Sequence, residues 1–150
     1  MKNSFLVILT LVGIQQINAQ FTRRDSLQGG LRIERTSYDV KRYDLNITIN
    51  PEQKSIKGFN EISFEVMVPT QKIQLDLFDN MMIDSIIHNN KKLDYKREFN
   101  AVFIDFPNGL TANSSEKIRF YYSGKPKVAK NAPWDGGFVF KKDKENRHWI

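Results

Sequence analysis

Apolar and polar residues alternate along most of the chain from Tyr38 onward. Within residues 38–50 every second position is apolar over four repeats, and these positions are Tyr43, Leu45, Ile47 and Ile49. A period of two residues is typical of a β-strand with one buried face. The pattern therefore predicts a half-buried strand in which these four side chains point toward the core.

A turn and a second alternating run follow this strand. Pro51 opens the turn, because its ring presets φ and it has no N–H to donate to a strand ladder. The apolar positions of the next run are in phase, and they are Ile56, Ile62, Phe64 and Val66. The two runs predict a β-hairpin. Gly58 lies inside the second run, where a glycine marks a bulge, a bend or a close backbone approach, and we expect a bend.

Short alternating segments separated by turn residues continue to residue 122. Turns are predicted at Asn89-Asn90-Lys91 and at Pro107-Asn108-Gly109, since asparagine and glycine tolerate the left-handed backbone of tight turns. No segment keeps a 3.6-residue period, so no helix is predicted. Regularly spaced short strands indicate an all-β fold, an antiparallel sandwich or barrel, and we predict a β-sandwich.

The first residues have the pattern of a cleavable signal peptide. Lys2 precedes an apolar run over residues 5–14, and Ala19 offers a small residue at the cleavage point. The run is too short to cross a bilayer as a helix. We therefore expect a signal peptide at 1–19, export to the periplasm or the extracellular space, and no membrane span after cleavage. Residues 20–37 are predicted to form an extended leader and residues 38–150 one domain.

Composition and charge exclude several kinds of chemistry. The 150 residues include no cysteine, which excludes disulfides and thiolate ligands or nucleophiles. The net charge is +6, but Asp143 and Glu145 interrupt the basic run near the C-terminus, so we expect no nucleic-acid partner. The two histidines, His88 and His148, are distant in sequence and are expected to be solvated. They lack the spacing of a zinc motif, and we expect no metal site in this chain.

Several phrases, in this order, resemble the N-terminal β domain of the gluzincin zinc aminopeptidases. They are YDVKRYDLNITIN, PEQKSIKGFNEISFEV, QLDLFDNMMIDSI, NAVFIDFP, YYSGKP and PWDGGF. The family includes aminopeptidase N and leukotriene hydrolase, and the last two phrases resemble its exported bacterial branch. The resemblance implies a saddle-like β domain at 38–150, followed beyond Ile150 by a catalytic domain that binds zinc through H-E-x-x-H. The resemblance assigns no catalytic, metal-binding or cofactor-binding role to any residue of this chain.

The resemblance also implies a role for this domain in a parent enzyme that removes N-terminal residues from peptides. The domain is expected to cap one side of the active-site cleft and to be inactive alone. The residues expected at the domain junction or cleft rim are Trp134, Asp135, Gly136 and Gly137. An alternative is that they form a turn with Trp134 buried against the sandwich edge. Phe138 and Phe140 are expected to form an apolar patch where the domain docks.

An alternative hypothesis from another functional class is that the chain is a binding module. Aromatic residues on a β-sandwich can stack on sugars, and Trp134 with Tyr121 or Tyr122 is the candidate set. In that case the chain would be a stand-alone secreted module that binds carbohydrate or protein.

Overall fold

The computed structural model describes residues 21–150 as two short helices and ten strands. The predicted signal peptide at 1–19 lies outside the described residues. The elements are α1 (Arg23–Gly29), α2 (Ile33–Thr36), β1 (Tyr38–Asn50), β2 (Ser55–Val66), β3 (Thr70–Asp76), β4 (Met81–His88), β5 (Lys91–Lys92), β6 (Tyr95–Glu98), β7 (Ala101–Leu110), β8 (Ser115–Gly124), β9 (Lys141–Lys142) and β10 (His148–Trp149).

The strands form two main antiparallel sheets. The larger has five strands in the order β1-β2-β8-β4-β5, and the smaller has three in the order β3-β7-β6. β9 and β10 pair separately as a two-stranded ribbon. The hairpin of β1 and β2 and the left-handed turn at Asn89 and Asn90 agree with the sequence pattern. The turn predicted at Pro107-Asn108-Gly109 is wrong, because these residues lie within β7 as an irregularity in its pairing with β3. The predicted all-β antiparallel sandwich is confirmed.

One apolar core joins the facing sides of the two sheets. Alternate residues of β2 and β8 meet alternate residues of β7 in a single buried cluster, which includes Phe64, Val66, Ile73, Ile86, Val102, Ile104 and Ile118. Each of these side chains is at most 1% exposed. The two-residue period of β2 therefore places Phe64 and Val66 in the core, as the sequence predicts.

The leader predicted as extended contains helices instead. Thr22 and Asp25 form a capping box at the start of α1, in which each side chain accepts a hydrogen bond from the other residue's backbone N–H. Leu27 is 2% exposed and joins Ala101 and Phe103 on the outer side of β7, away from the main core. The helix is too short to show a helical period, which is why the pattern did not predict it.

The predicted burial of the β1 side chains is wrong. Tyr43, Leu45, Ile47 and Ile49, which we call the β1 stripe, are 57%, 64%, 39% and 41% exposed. The stripe does lie on the core-facing side of its sheet, because Tyr43 pairs with Ile62 and Ile49 with Ile56, both of which are buried. The three-stranded sheet does not extend over it.

Gly58 marks a close backbone approach and not the expected bend. A Cβ atom at this position would lie 1.9 Å from the carbonyl oxygen of Asn46 in the neighbouring strand. The pairing of β1 with β2 continues without a shift through Gly58, and the shift in this hairpin lies between Val40 and Arg42. None of the helices in residues 21–150 has the length and hydropathy required to cross a bilayer.

Candidate functional site

The predicted junction residues lie in the loop that follows β8. Asp135 organises this loop, because its Oδ2 accepts hydrogen bonds from the backbone N–H groups of Lys130 at 2.6 Å and Asn131 at 3.1 Å. These hydrogen bonds hold the pKa of the Asp135 carboxyl below its ordinary value. The Nζ of Lys127 donates to the Asp135 carbonyl oxygen at 2.8 Å. The loop therefore has a defined conformation built around one carboxylate.

Two glycines give the loop its turn. Gly136 and Gly137 have φ values of 61° and 121°, a region that other residues rarely adopt. A Cβ atom on Gly137 would also lie 2.7 Å from the Lys127 carbonyl oxygen. The loop closes where the N–H of Phe138 donates to that carbonyl at 2.8 Å. Backbone geometry therefore favours glycine at both positions, and most strongly at Gly137.

Trp134 projects from the loop into solvent and is 89% exposed. The alternative in which this indole packs against the sandwich edge is therefore wrong. Phe138 is half-buried, packs against the main core and stacks on Phe140 with ring centroids 5.7 Å apart. The two phenylalanines do not form the exposed patch that the sequence suggested, and Trp134 is the exposed aromatic residue of this loop.

The two histidines occupy different environments. His88 has a side chain that is 15% exposed, with Nε2 at 2.7 Å from Oε2 of Glu116, and its ring contacts Phe106 edge-on. The Oγ of Ser114 donates to the other oxygen of Glu116 at 2.9 Å. The prediction that His88 is solvated is wrong, because it forms part of a polar cluster at the end of the core.

His148 links the C-terminal ribbon to the turn between β1 and β2. Its Nε2 lies 2.6 Å from Oε1 of Glu52, whose side chain is 75% exposed. The hydrogen bond from His148 lowers the pKa of Glu52, with a smaller contribution from the charge of Lys142. This contact holds the β9–β10 ribbon against the hairpin tip.

The described residues do not fit a zinc ion. Zinc sites in proteins use at least three ligands from His, Cys, Asp and Glu. His88 and His148 each have a single carboxylate partner, and residues 21–150 contain no group of three such side chains placed to hold a metal. No reaction step through zinc can be assigned to these residues.

The tyrosines suggested for sugar stacking are largely covered. Tyr122 is 8% exposed and belongs to the main core. Tyr121 is half-buried, and its ring lies 5.2 Å from that of Phe59. Among the aromatic residues considered for stacking, Trp134 alone presents an open ring.

Sequence reasoning missed a groove between the β1 stripe and the edge of β3. Its apolar lining comes from both sheets: Tyr43, Leu45, Ile62, Leu75, Leu77 and Phe120. The ion pair of Arg35 with Asp76 lies at this groove. No local pattern could have indicated it, because the groove exists only where the larger sheet extends beyond the smaller one.

Neither a protein-family model nor a curated protein matches the chain. Among solved structures, the chain is similar to an M1 zinc metallopeptidase from Deinococcus radiodurans, with 21% identity and a TM-score of 0.56 over 66% of this chain and 23% of that chain. It is also similar to a mutant of an M1 zinc metallopeptidase from the same organism bound to a Tyr-Ser-Ala substrate. That match has 21% identity and a TM-score of 0.56 over 63% of this chain and 22% of the other.

A third similar structure is a two-domain M1 zinc metallopeptidase mutant bound to L-arginine. The match has 20% identity and a TM-score of 0.55 over 65% of this chain and 22% of that chain. The chain therefore spans less than a quarter of the length of these solved structures. Its fold is that of a domain found within the M1 zinc metallopeptidases.

Proposed function

We propose that the chain is a non-catalytic β domain of an exported zinc aminopeptidase of the M1 family. In this proposal the zinc and its ligands belong to a catalytic domain of the same polypeptide, and the substrates are peptides from which N-terminal residues are removed. The β domain itself carries out no chemistry.

The similarity of fold to M1 zinc metallopeptidases is the observation that carries the proposal. It extends over 63–66% of this chain and only 22–23% of the solved chains, which fits one domain of a larger enzyme. The sequence adds independent support, because the phrases that resemble the family occur in the family's order from Tyr38 to Phe138.

The role we assign to this domain is to border the active-site cleft through the loop that carries Trp134. An exposed indole on a loop fixed by Asp135, Gly136 and Gly137 can contact a peptide or a neighbouring domain without first being ordered. Such a contact would restrict the cleft to chain ends and short peptides. Export follows from the pattern of residues 1–19 and is part of the same proposal.

Activity measurements on two samples test the function. The complete polypeptide that contains this domain should hydrolyse aminoacyl anilides, lose activity on chelation and regain it with Zn²⁺. The 150-residue chain should hydrolyse none. Absence of zinc-dependent aminopeptidase activity in the complete polypeptide would contradict the proposal.

The cleft-rim role has its own test in the complete polypeptide. Trp134→Ala should raise KM for peptides of several residues and leave kcat/KM for a small aminoacyl anilide unchanged. Phe78→Ala is a matched control, because Phe78 is 57% exposed but lies in the loop after β3. Equal effects of the two substitutions would exclude a specific role for Trp134.

A second candidate function is sugar binding by a stand-alone module, favoured by the 89% exposure of Trp134. Indole rings stack on sugar faces when they are open and held in place. The test is titration of the 150-residue chain with oligosaccharides while Trp fluorescence is followed. Binding that Trp134→Ala abolishes would favour this function over the first.

A further inference from the structure

The β1 stripe is an uncovered continuation of the core. Tyr43, Leu45, Ile47 and Ile49 point to the same side of the five-stranded sheet as buried Ile56 and Ile62, yet each is at least 39% exposed. They form an unbroken row on one strand. Soluble domains rarely leave such a row open, because contiguous apolar surface in water favours association.

The groove beside the stripe runs along the edge of the smaller sheet. On one side are Tyr43 and Leu45 of β1, and on the other are Leu75 of β3 and Leu77 just after it. β3 is the last strand of the smaller sheet on this side. The apolar lining therefore continues from the stripe to the point where the covering sheet stops.

Within residues 21–150, β1 is also an edge strand of thirteen residues that pairs only with β2. A long, unpaired edge beside an apolar face is a common target for another strand, and proteins normally cover or blunt it. The stripe carries no charge, whereas Arg42 and Asp44 point to the opposite side of the strand. A partner on the stripe side must therefore present apolar side chains.

We propose that the β1 stripe is the docking surface for further β-structure of the same polypeptide, which lies as a second layer over β1 and continues the β3-β7-β6 sheet past β3. This inference rests on the proposed function, in which the chain is one domain of a larger enzyme. The partner surface is a strand with apolar residues at every second position, because the stripe has a two-residue period and stacked sheets pack about 10 Å apart.

The lengths of the similar proteins favour this occupant over a second copy of the chain. Solved proteins with this fold contain the domain within chains of which it covers 22–23%, so ample further chain is present in them. A second copy that paired with β1 edge to edge would place the two stripes side by side in one sheet. That arrangement would enlarge the open apolar face and would not cover it.

Cysteine labelling tests the proposal directly. The chain has no cysteine, so Leu45→Cys introduces one thiol on the stripe, and Thr48→Cys introduces a matched thiol on the opposite side of the same strand. Both sites are exposed, so neither substitution removes core packing. Maleimide labelling of each variant is followed by peptide mass spectrometry in the 150-residue chain and in the complete polypeptide.

The expected result is fast labelling of both sites in the 150-residue chain. In the complete polypeptide Leu45→Cys should label at least about a hundred-fold more slowly, since reaction then requires a local opening, while Thr48→Cys keeps its rate. Equal rates for Leu45→Cys in both samples would overturn the proposal even if the complete polypeptide is an active aminopeptidase. Protection of Leu45→Cys in the 150-residue chain that disappears on dilution would assign the stripe to a second copy and would also overturn it.

Discussion

The carbonyl oxygen of Asn46 occupies the space that a side chain on Gly58 would need, with only 1.9 Å between that oxygen and an added Cβ atom. Both residues belong to the hairpin of β1 and β2, which carries the stripe and the first strands of the larger sheet. The hairpin therefore depends on the absence of a side chain at one position.

Gly58→Ala should destabilise the domain by more than about 2 kcal/mol, because backbone atoms would have to separate to admit the methyl group. Urea unfolding followed by circular dichroism measures the change. Gly29→Ala is the control: an added Cβ there has no neighbour within 4 Å, and alanine favours the helix that Gly29 ends. If Gly58→Ala lowered the free energy of unfolding no more than Gly29→Ala does, the close approach of Asn46 to Gly58 would not constrain the hairpin.

Arg97 fixes the connection between β3 and β4. Its guanidinium donates to the carbonyl oxygens of Leu77 at 2.7 Å, Phe78 at 2.5 Å and Met81 at 2.6 Å. Arg97→Ala should cost about 2–4 kcal/mol of unfolding free energy, because several carbonyls lose a charged donor at once. Arg97→Lys should lose less unfolding free energy than Arg97→Ala but should remain less stable than the wild type. A lysine ammonium group cannot reproduce the planar arrangement of donors on the guanidinium group.

The control for Arg97 is Arg23, which pairs with Glu98 on the surface. Their side chains are 55% and 40% exposed, and exposed pairs of this kind contribute little to stability. Arg23→Ala should leave the midpoint of urea unfolding nearly unchanged. If the two alanine variants unfold alike, the carbonyl contacts of Arg97 do not stabilise the fold.

Tyr38 should make the domain sensitive to alkaline pH. Burial raises the pKa of its hydroxyl to about 12, and that hydroxyl donates to the Gln74 carbonyl oxygen at 2.6 Å. An unfolded tyrosine ionises near pH 10, so the folded chain holds a proton that the unfolded chain loses between pH 10 and 12. The contribution of Tyr38 to the free energy of unfolding is therefore fully present below pH 10. Between pH 10 and 12 it should fall by about 1.4 kcal/mol per pH unit.

The comparison with Tyr38→Phe isolates this effect. The variant should be less stable by about 1 kcal/mol at neutral pH, since the hydrogen bond to Gln74 is lost. Its stability should decline less steeply than that of the wild type above pH 10, which urea midpoints measured from pH 8 to 11.5 would show. Parallel curves would contradict the assignment of the pH dependence to Tyr38.

The carboxylate of Asp135 should hold the Trp134 loop in place. Asp135→Asn keeps the size of the side chain but removes the charge, so amide hydrogen exchange at Lys130 and Asn131 should accelerate. Because the pKa of Asp135 is lowered in the fold, its contribution is present at neutral pH and is lost as the carboxyl protonates below pH about 4. Asp39→Asn, on β1, should leave these two amides unaffected.

The sequence predicted the strands well because their signal is local. The alternation of β1 and β2 and the turns at Asn89 and Asn90 depend on neighbouring residues alone, and the structure has them as predicted. Helix α1 was not predicted because it is a single short element, stabilised by Leu27 packing on Phe103, which is 76 residues away in sequence.

The candidate site was predicted less completely. The phrase PWDGGF indicated a turn, and Gly136 and Gly137 do adopt the left-handed backbone that their identity permits. The exposure of Trp134 and the burial of His88 were not predicted, because a residue's identity does not say which distant side chains cover it.

The sequence by itself determined the hairpin of β1 and β2, the all-β class and the direction of each side chain along β1, since a strand's pleat sets direction residue by residue. Only the tertiary structure decided which of those directions are covered. The three strands of the smaller sheet end before β1, so the same alternation that buries Phe64 and Ile62 leaves Leu45 in solvent. Burial depends on the extent of the opposing layer, and no local pattern contains that information.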